Sequence, residues 1–310
     1  MRPDSVLPPM TTPVPLDTIR VSIREDDGTT DSVGLARDAL ADPRLTAADR
    51  SAVRNLAEAL DYVRHRYNYD DLDDATTGVT LVLHALRGPA AGAGAISVTA
   101  TNPYLQLPGA DARPGAILPD DAARHELIHI MQARVTGQPI GGSSEQRGMG
   151  VNASGKIQAL GVAEGLADAF SLLQAQSWQT GAGFRRQHAG EAPQVVRDYD
   201  HPDSPNALLH VRSRWDAQGA RDASVDPHLQ GGVVVAFARG VQQQVGWQRA
   251  QNVMWSILND DQFAYGTQGW TEFAEAADRQ ATRYDGVDSD VADAVRASLD
   301  ATNLTAAIGS

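Results

Sequence analysis

The 310-residue chain has no cysteine. That excludes a disulfide framework, a thiolate metal site and a cysteine nucleophile, so any metal must be held by His, Asp or Glu. Aromatic residues are scarce at 5%, which does not suggest stacking platforms for bases or sugars. Lysine is nearly absent: Lys156 stands alone among 26 cationic residues, against 39 acidic ones. The net charge of −13 argues against general nucleic-acid or anionic-membrane binding and predicts mainly solubility. No apolar run is long enough to cross a bilayer. Met1 to Pro15 carries five prolines and no apolar signal-peptide core. The expected location is therefore cytoplasmic, with secretion as the alternative.

What is present is enough apolar material, 42%, for one large or two modest domains. Residues 1–18 are Pro-rich and read as a flexible lead-in. Ile19 to Ile23 alternates as a short strand. Ala47 to Arg66 reads as a helix behind an N-cap at Thr46, with Leu56, Leu60 and Val63 on one face. Gly78 to Leu86 and Ala95 to Ala100 read as strands around a Gly/Ala-rich turn. From Asp120 onward the pattern is helical: Asp120 to Val135, Ile157 to Trp178, Gly231 to Gln244, Trp247 to Leu258, Thr271 to Arg283 and Ser289 to Ala301. A Gly-rich loop spans Gly137 to Gly155. A second loop region, Thr180 to His228, holds four of the eight histidines. The fold class is α+β, with a strand-containing segment 19–136 and a helical segment 137–310.

His125-Glu126-Leu127-Ile128-His129 is an HExxH motif. Four residues is about one helical turn, so both imidazoles can reach one ion while Glu126 sits beside it. The chemistry needs two neutral His ligands and a carboxylate to take a proton from water. Chance would place this motif in about 1 in 200 chains of this composition. Its flanks suit a helix: Pro119-Asp120-Asp121 before it, Gly137 and Pro139 after it. The alternative is a core helix with two hydrogen-bonded histidines.

A zinc site needs a third protein ligand. The extended motif HExxHxxGxxH is excluded, because Gln132 and Val135 stand where it needs Gly and His. Glu145 lies in the Gly-rich loop, a poor place for a rigid ligand. Glu164 lies in a helical segment with Leu160, Leu166, Phe170 and Leu173 to bury. Asp168 follows one turn later on the same face, placed to bond a ligating histidine and fix its tautomer. The alternative for this pair is a solvated acidic helix face.

HELIH followed by AEGLAD resembles the thermolysin-like neutral zinc metallopeptidases (gluzincins), in which HExxH precedes a helix bearing Asn-Glu-x-x-Ser-Asp. Val195-Val196-Arg197-Asp198 with Pro202 is similar to the family's Leu-Arg segment, and Gln230-Gly231-Gly232-Val233 to its Asn-Gly-Gly-Val. The resemblance covers residues 45–304. It implies a strand-containing N-terminal lobe, a mainly helical C-terminal lobe, and the HExxH helix between them at the floor of a cleft. It implies Zn2+ held by His125, His129 and Glu164, with Glu126 as general base and Asp168 behind a ligand. Arg197 would contact a substrate carbonyl beside the scissile bond.

The chain also departs from that pattern. The histidine that follows Gly-Gly-Val in the family is here Val234, and the tyrosine ahead of its Asn-x-Ser-Gly element is missing. Two oxyanion donors are lost, each worth about 2.7–4 kcal/mol. His228, in Asp226-Pro227-His228, is a candidate to fill the gap, a surface role being the alternative; His210 and Tyr199 are weaker substitutes. Ser171 to Trp178 has no carboxylate, so the family's calcium site is not expected. The extra residues within Gly137 to Leu160 would hang over the cleft. The function the resemblance implies is that of a zinc-dependent hydrolase, a thermolysin-like metallopeptidase with Glu126 as general base; the alternatives are a zinc-dependent enzyme acting on a small molecule, for example in a biosynthetic pathway, or a catalytically inactive binding protein. The expected partner is a peptide or small-molecule substrate in the interlobe cleft, with no nucleic acid and no membrane.

Overall fold

The computed structural model describes residues 16–24, 29–67, 79–86, 95–99, 102–108, 122–136, 153–180, 195–202, 207–209, 211–222, 225–264 and 269–308. Among them the chain is mostly helical, with one five-stranded sheet and one of three strands. The five strands are β1 (Arg20–Arg24), β2 (Thr30–Leu35), β3 (Thr80–Leu86), β4 (Ala95–Thr99) and β5 (Asn102–Pro108). Their order is β2-β1-β3-β5-β4, with β1–β3 and β3–β5 parallel and both edge pairs antiparallel. Alternation decides the buried face: Ile19, Val21 and Ile23 lie beneath the sheet with Val79, Leu81 and Leu83. The short helix α1 (Ala36–Ala39) follows β2.

Helix α2 (Ala47–Tyr67) buries Val53, Leu56, Leu60 and Val63 in the same core. Thr46 starts it as expected: its hydroxyl accepts from the Asp49 amide at 3.2 Å while Asp49 accepts from the Thr46 amide at 2.8 Å. Helix α3 (Ala122–Thr136) packs against α2, β4 and β5 on one side and α4 (Ala153–Ala175) on the other. That position explains why Leu127, Ile128, Ile130 and Met131 are all buried although they point in different directions.

The remaining helices are α5 (Pro227–Val245), α6 (Trp247–Leu258), α7 (Asp261–Ala264), α8 (Trp270–Tyr284) and α9 (Ser289–Ala301). They enclose a core in which α5 contacts α4, α6 and α9. No helix among the described residues is long and apolar enough to cross a membrane.

Three features depart from the sequence reading. Strands β2 and β5 were not expected: β2 is a polar edge strand containing Gly34, and β5 carries Pro103 and Pro108. The pairing of β5 with β3 begins at Tyr104, so the missing amide of Pro103 breaks no bond to it. The region beyond α4 is not all loop and helix. It contains a sheet of β6 (Gln179–Thr180), β7 (Val195–Asp198) and β8 (Ala207–Leu209), with β6–β7 antiparallel and β7–β8 parallel. Helix α5 begins at Pro227 rather than Gly231, behind an N-cap at Asp226. Asp-Pro is a helix-start signal in its own right. The apolar periodicity, which begins only at Gly231, does not reveal it. Glu145 and residues 137–152 of the Gly-rich loop fall outside the described residues, while Ala153 to Gly155, read as loop, form the first turn of α4.

Helices α4 and α5 cross in backbone contact. A Cβ on Gly231 would lie 2.5 Å from the Gly165 nitrogen, and one on Gly165 only 2.4 Å from the Gly231 oxygen. Gly231→Ala should therefore push the helices apart and destabilise the fold by about 1–3 kcal/mol, read as a lower denaturant midpoint. An unchanged midpoint would show that the crossing tolerates a methyl.

Asp260 ties α7 to α8. Its carboxylate accepts from the Phe263 amide at 3.3 Å and from Arg279 at 2.6 and 3.2 Å. Burial alone would raise this carboxyl, but the Arg279 hydrogen bonds and the Arg279 and Arg283 charges hold it below the usual aspartate value. A carboxyl lowered on folding stabilises fully above its unfolded pKa of about 3.9 and loses that contribution as pH falls through its folded value. Asp260→Asn should lower stability at neutral pH by about 1.5–3 kcal/mol, with a smaller deficit in acid. Equal deficits across urea melts at both pH values would contradict the account.

Candidate metal centre

Helix α3 supplies His125, Glu126 and His129; α4 supplies Glu164 and Asp168. One-turn spacing in each helix does the positioning. His125 Nε2 and His129 Nε2 are 3.1 Å apart, and each is 3.1 Å from Glu164 Oε2. Their other ring nitrogens are also engaged. His125 Nδ1 lies 2.8 Å from Asp168 Oδ1, and His129 Nδ1 lies 3.2 Å from Gln132 Oε1. Gln132 Nε2 donates to the Ala163 carbonyl at 3.1 Å, which orients its oxygen toward His129.

Those contacts assign the tautomers. With both rings neutral, as metal binding requires, each donates from Nδ1 and turns its Nε2 lone pair toward the Glu164 oxygen. Three acceptor atoms this close repel one another unless a cation lies among them. A tetrahedral shell with bonds of about 2.0–2.1 Å has edges of about 3.3 Å, close to the spacing here. Two imidazoles and a carboxylate suit zinc among the divalent metals. The donor set therefore fits the metal implied by the motif.

Electrostatics agree with that fit. Burial would lower the His125 imidazole, but the Asp168 charge and the Asp168 and Glu164 hydrogen bonds raise it well above the usual histidine value. Burial would raise Glu164, but His129, His125 and His228 hold it well below the carboxylate range. The cluster thus attracts cations, and a metal binding here competes with protons. Glu126 is buried, and burial raises its carboxyl above the usual glutamate value, against the lowering fields of His125 and His129.

Asp168 is the hub behind the cluster. Besides His125, its carboxylate accepts from Arg197 Nη2 at 2.8 Å and from the Tyr199 hydroxyl. Period-two geometry at the end of β7 puts Arg197 and Tyr199 on one face, while Asp198 turns away to accept from Gln179 at 2.9 Å. Burial would raise Asp168, but Arg197, His125 and Tyr199 hold it far below the aspartate range. Tyr199, an oxyanion-donor candidate on sequence grounds, donates to Asp168 instead. Arg197 is 11% exposed and pairs with Asp168.

His228 reaches the same cluster from the first turn of α5. Its Nε2 is 3.1 Å from Glu164 Oε2, and its Nδ1 is 2.8 Å from Asp226 Oδ1. The structure thus brings together His125, Glu126, His129, Glu164, Asp168, Arg197 and His228. His210 lies outside the described residues. Gln132, Tyr199 and Asp226 as supporting partners escaped sequence reasoning. Only Gln132 had a readable signal there, three residues after His129 on one helix.

No protein-family model matches the chain, and no curated protein matches it. Among solved structures it is similar to the precursor of protealysin, a metalloproteinase from Serratia proteamaculans. The TM-score is 0.63 at 14% identity, covering 92% of this chain and 88% of that one. The likeness is one of fold: the chain has a thermolysin-like fold, and among its described residues His125, Glu164 and His228 form a group that could hold a metal ion.

Proposed function

We propose that the chain is a zinc-dependent hydrolase acting on peptide bonds, with His125, His129 and Glu164 as the metal ligands. The observation that carries this reading is the convergence of two Nε2 lone pairs and one carboxylate oxygen, 3.1 Å apart, with both tautomers fixed from behind. Zinc bound there supplies Lewis acidity, lowering the pKa of water toward neutrality and polarising a carbonyl.

The chain's own groups do the rest. Glu126 takes the proton of the attacking water on a carboxylate oxygen and returns it to the leaving nitrogen as the C–N bond breaks. Its burial, which raises its proton affinity, suits that exchange. Asp168 fixes His125 and holds the Arg197 guanidinium, which we assign to a substrate carbonyl beside the scissile bond.

One observation favours the second reading, a small-molecule substrate. Val234, at the position where the thermolysin-like pattern has its oxyanion histidine, is fully buried and faces the core. The test is cleavage of a diverse peptide panel by the zinc-loaded chain. Cleavage supports the peptidase. Bound zinc with every peptide intact contradicts it and moves the site to small-molecule chemistry.

A further inference from the structure

His228 lies outside the HExxH motif and outside the glutamate helix, yet the fold carries it to Glu164. The glycine crossing is the reason. Gly165 follows Glu164 directly, and Gly231 is three residues beyond His228. Their backbone contact holds the first turn of α5 against the metal-binding face of α4.

The ring is set up as the two motif histidines are. Its Nδ1 meets the Asp226 carboxylate at 2.8 Å, as that of His125 meets Asp168 at 2.8 Å. A neutral ring so held keeps its proton on Nδ1 and turns the Nε2 lone pair toward the cluster. An oxyanion donor needs a proton at Nε2, and the Asp226 contact leaves none there in the neutral ring. His125, Glu164 and His228 each bring a donor atom within 4.8 Å of the others. Of the six separations among the donors of His125, His129, Glu164 and His228, four are 3.1 Å. A tetrahedral zinc shell has edges of about 3.3 Å.

We propose that His228 is a fourth protein ligand, closing the coordination shell of the metal in the resting protein. The inference rests on the zinc reading of the site. The His228 side chain is 31% exposed, against 12% for His125, 5% for His129 and 17% for Glu164. It would be the ligand on the solvent side, the one whose release would open a position for water. Catalytic zinc sites keep an open position, whereas closed sites are structural. Here one histidine switches between the two.

X-ray absorption at the zinc edge of the metal-loaded full chain tests this directly. The expected shell is four donors at about 2.0–2.1 Å, three of them imidazoles, with no solvent oxygen and no response to added azide. His228→Ala should show two imidazoles and a solvent oxygen, respond to azide, and bind zinc at least about tenfold more weakly. Two imidazoles and a solvent oxygen already in the unaltered chain would overturn the proposal and leave the zinc reading standing. A folded chain that takes up no zinc would overturn both.

Discussion

Asp168→Ala is expected to weaken metal binding about 10–100-fold and to destabilise the fold by about 3–5 kcal/mol. Both effects come from one buried carboxylate with three donors. Losing it frees the His125 ring to rotate and to exchange tautomers, so its Nε2 no longer points reliably at Glu164. The same change strips the Arg197 guanidinium and the Tyr199 hydroxyl of their shared acceptor in a buried place. Taking the Asp168 carboxylate from the buried guanidinium costs more than taking it from the hydroxyl. Asp168→Asn separates the two effects. It keeps an acceptor for His125 and the shape of the site but removes the charge opposite Arg197. Metal affinity should fall less than in the alanine variant, while much of the stability loss remains. Zinc titration and a urea melt on both variants check this. Equal behaviour of the two variants in both assays would show that the charge of Asp168 alone carries both effects, and that the acceptor and shape kept by asparagine count for nothing.

Glu126→Gln is expected to keep the metal and lose turnover by about 10²–10⁴-fold. Glutamine matches the size of glutamate but cannot take a proton. Glu126 is adjacent to His125 in sequence, but it makes none of the contacts that set the two Nε2 atoms and Glu164 at 3.1 Å. Zinc affinity should therefore stay within a few-fold of the unaltered chain. Loss of metal along with activity would mean that Glu126 holds the site together rather than moving protons.

The two halves of this cluster were legible in the sequence because helical spacing alone builds each of them. His125 and His129 lie one turn apart, as do Glu164 and Asp168, and neither pair needs knowledge of the chain between them. The parts that were not legible depend on tertiary placement. Arg197 and Tyr199 reach Asp168 from β7, a four-residue strand whose neighbours β6 and β8 are no longer, so no periodicity marks it. His228 read as a loop histidine because the apolar pattern of α5 starts at Gly231. The N-cap at Asp226 and Pro227 behind it move the helix start upstream and turn the ring toward Glu164. The sheet was half legible for a similar reason: β1 and β3 alternate, whereas the edge strand β2 and the proline-bearing β5 do not.

The zinc content of the refolded, chelator-stripped chain after reloading, beside that of Glu164→Gln, tests the central claim most directly. The account predicts one zinc per unaltered chain. The variant should stay folded but lose affinity by more than the roughly 10–100-fold that a supporting contact is worth. A folded, unaltered chain that binds no zinc, or a variant that binds it equally well, would contradict the assignment of His125, His129 and Glu164 as a metal centre.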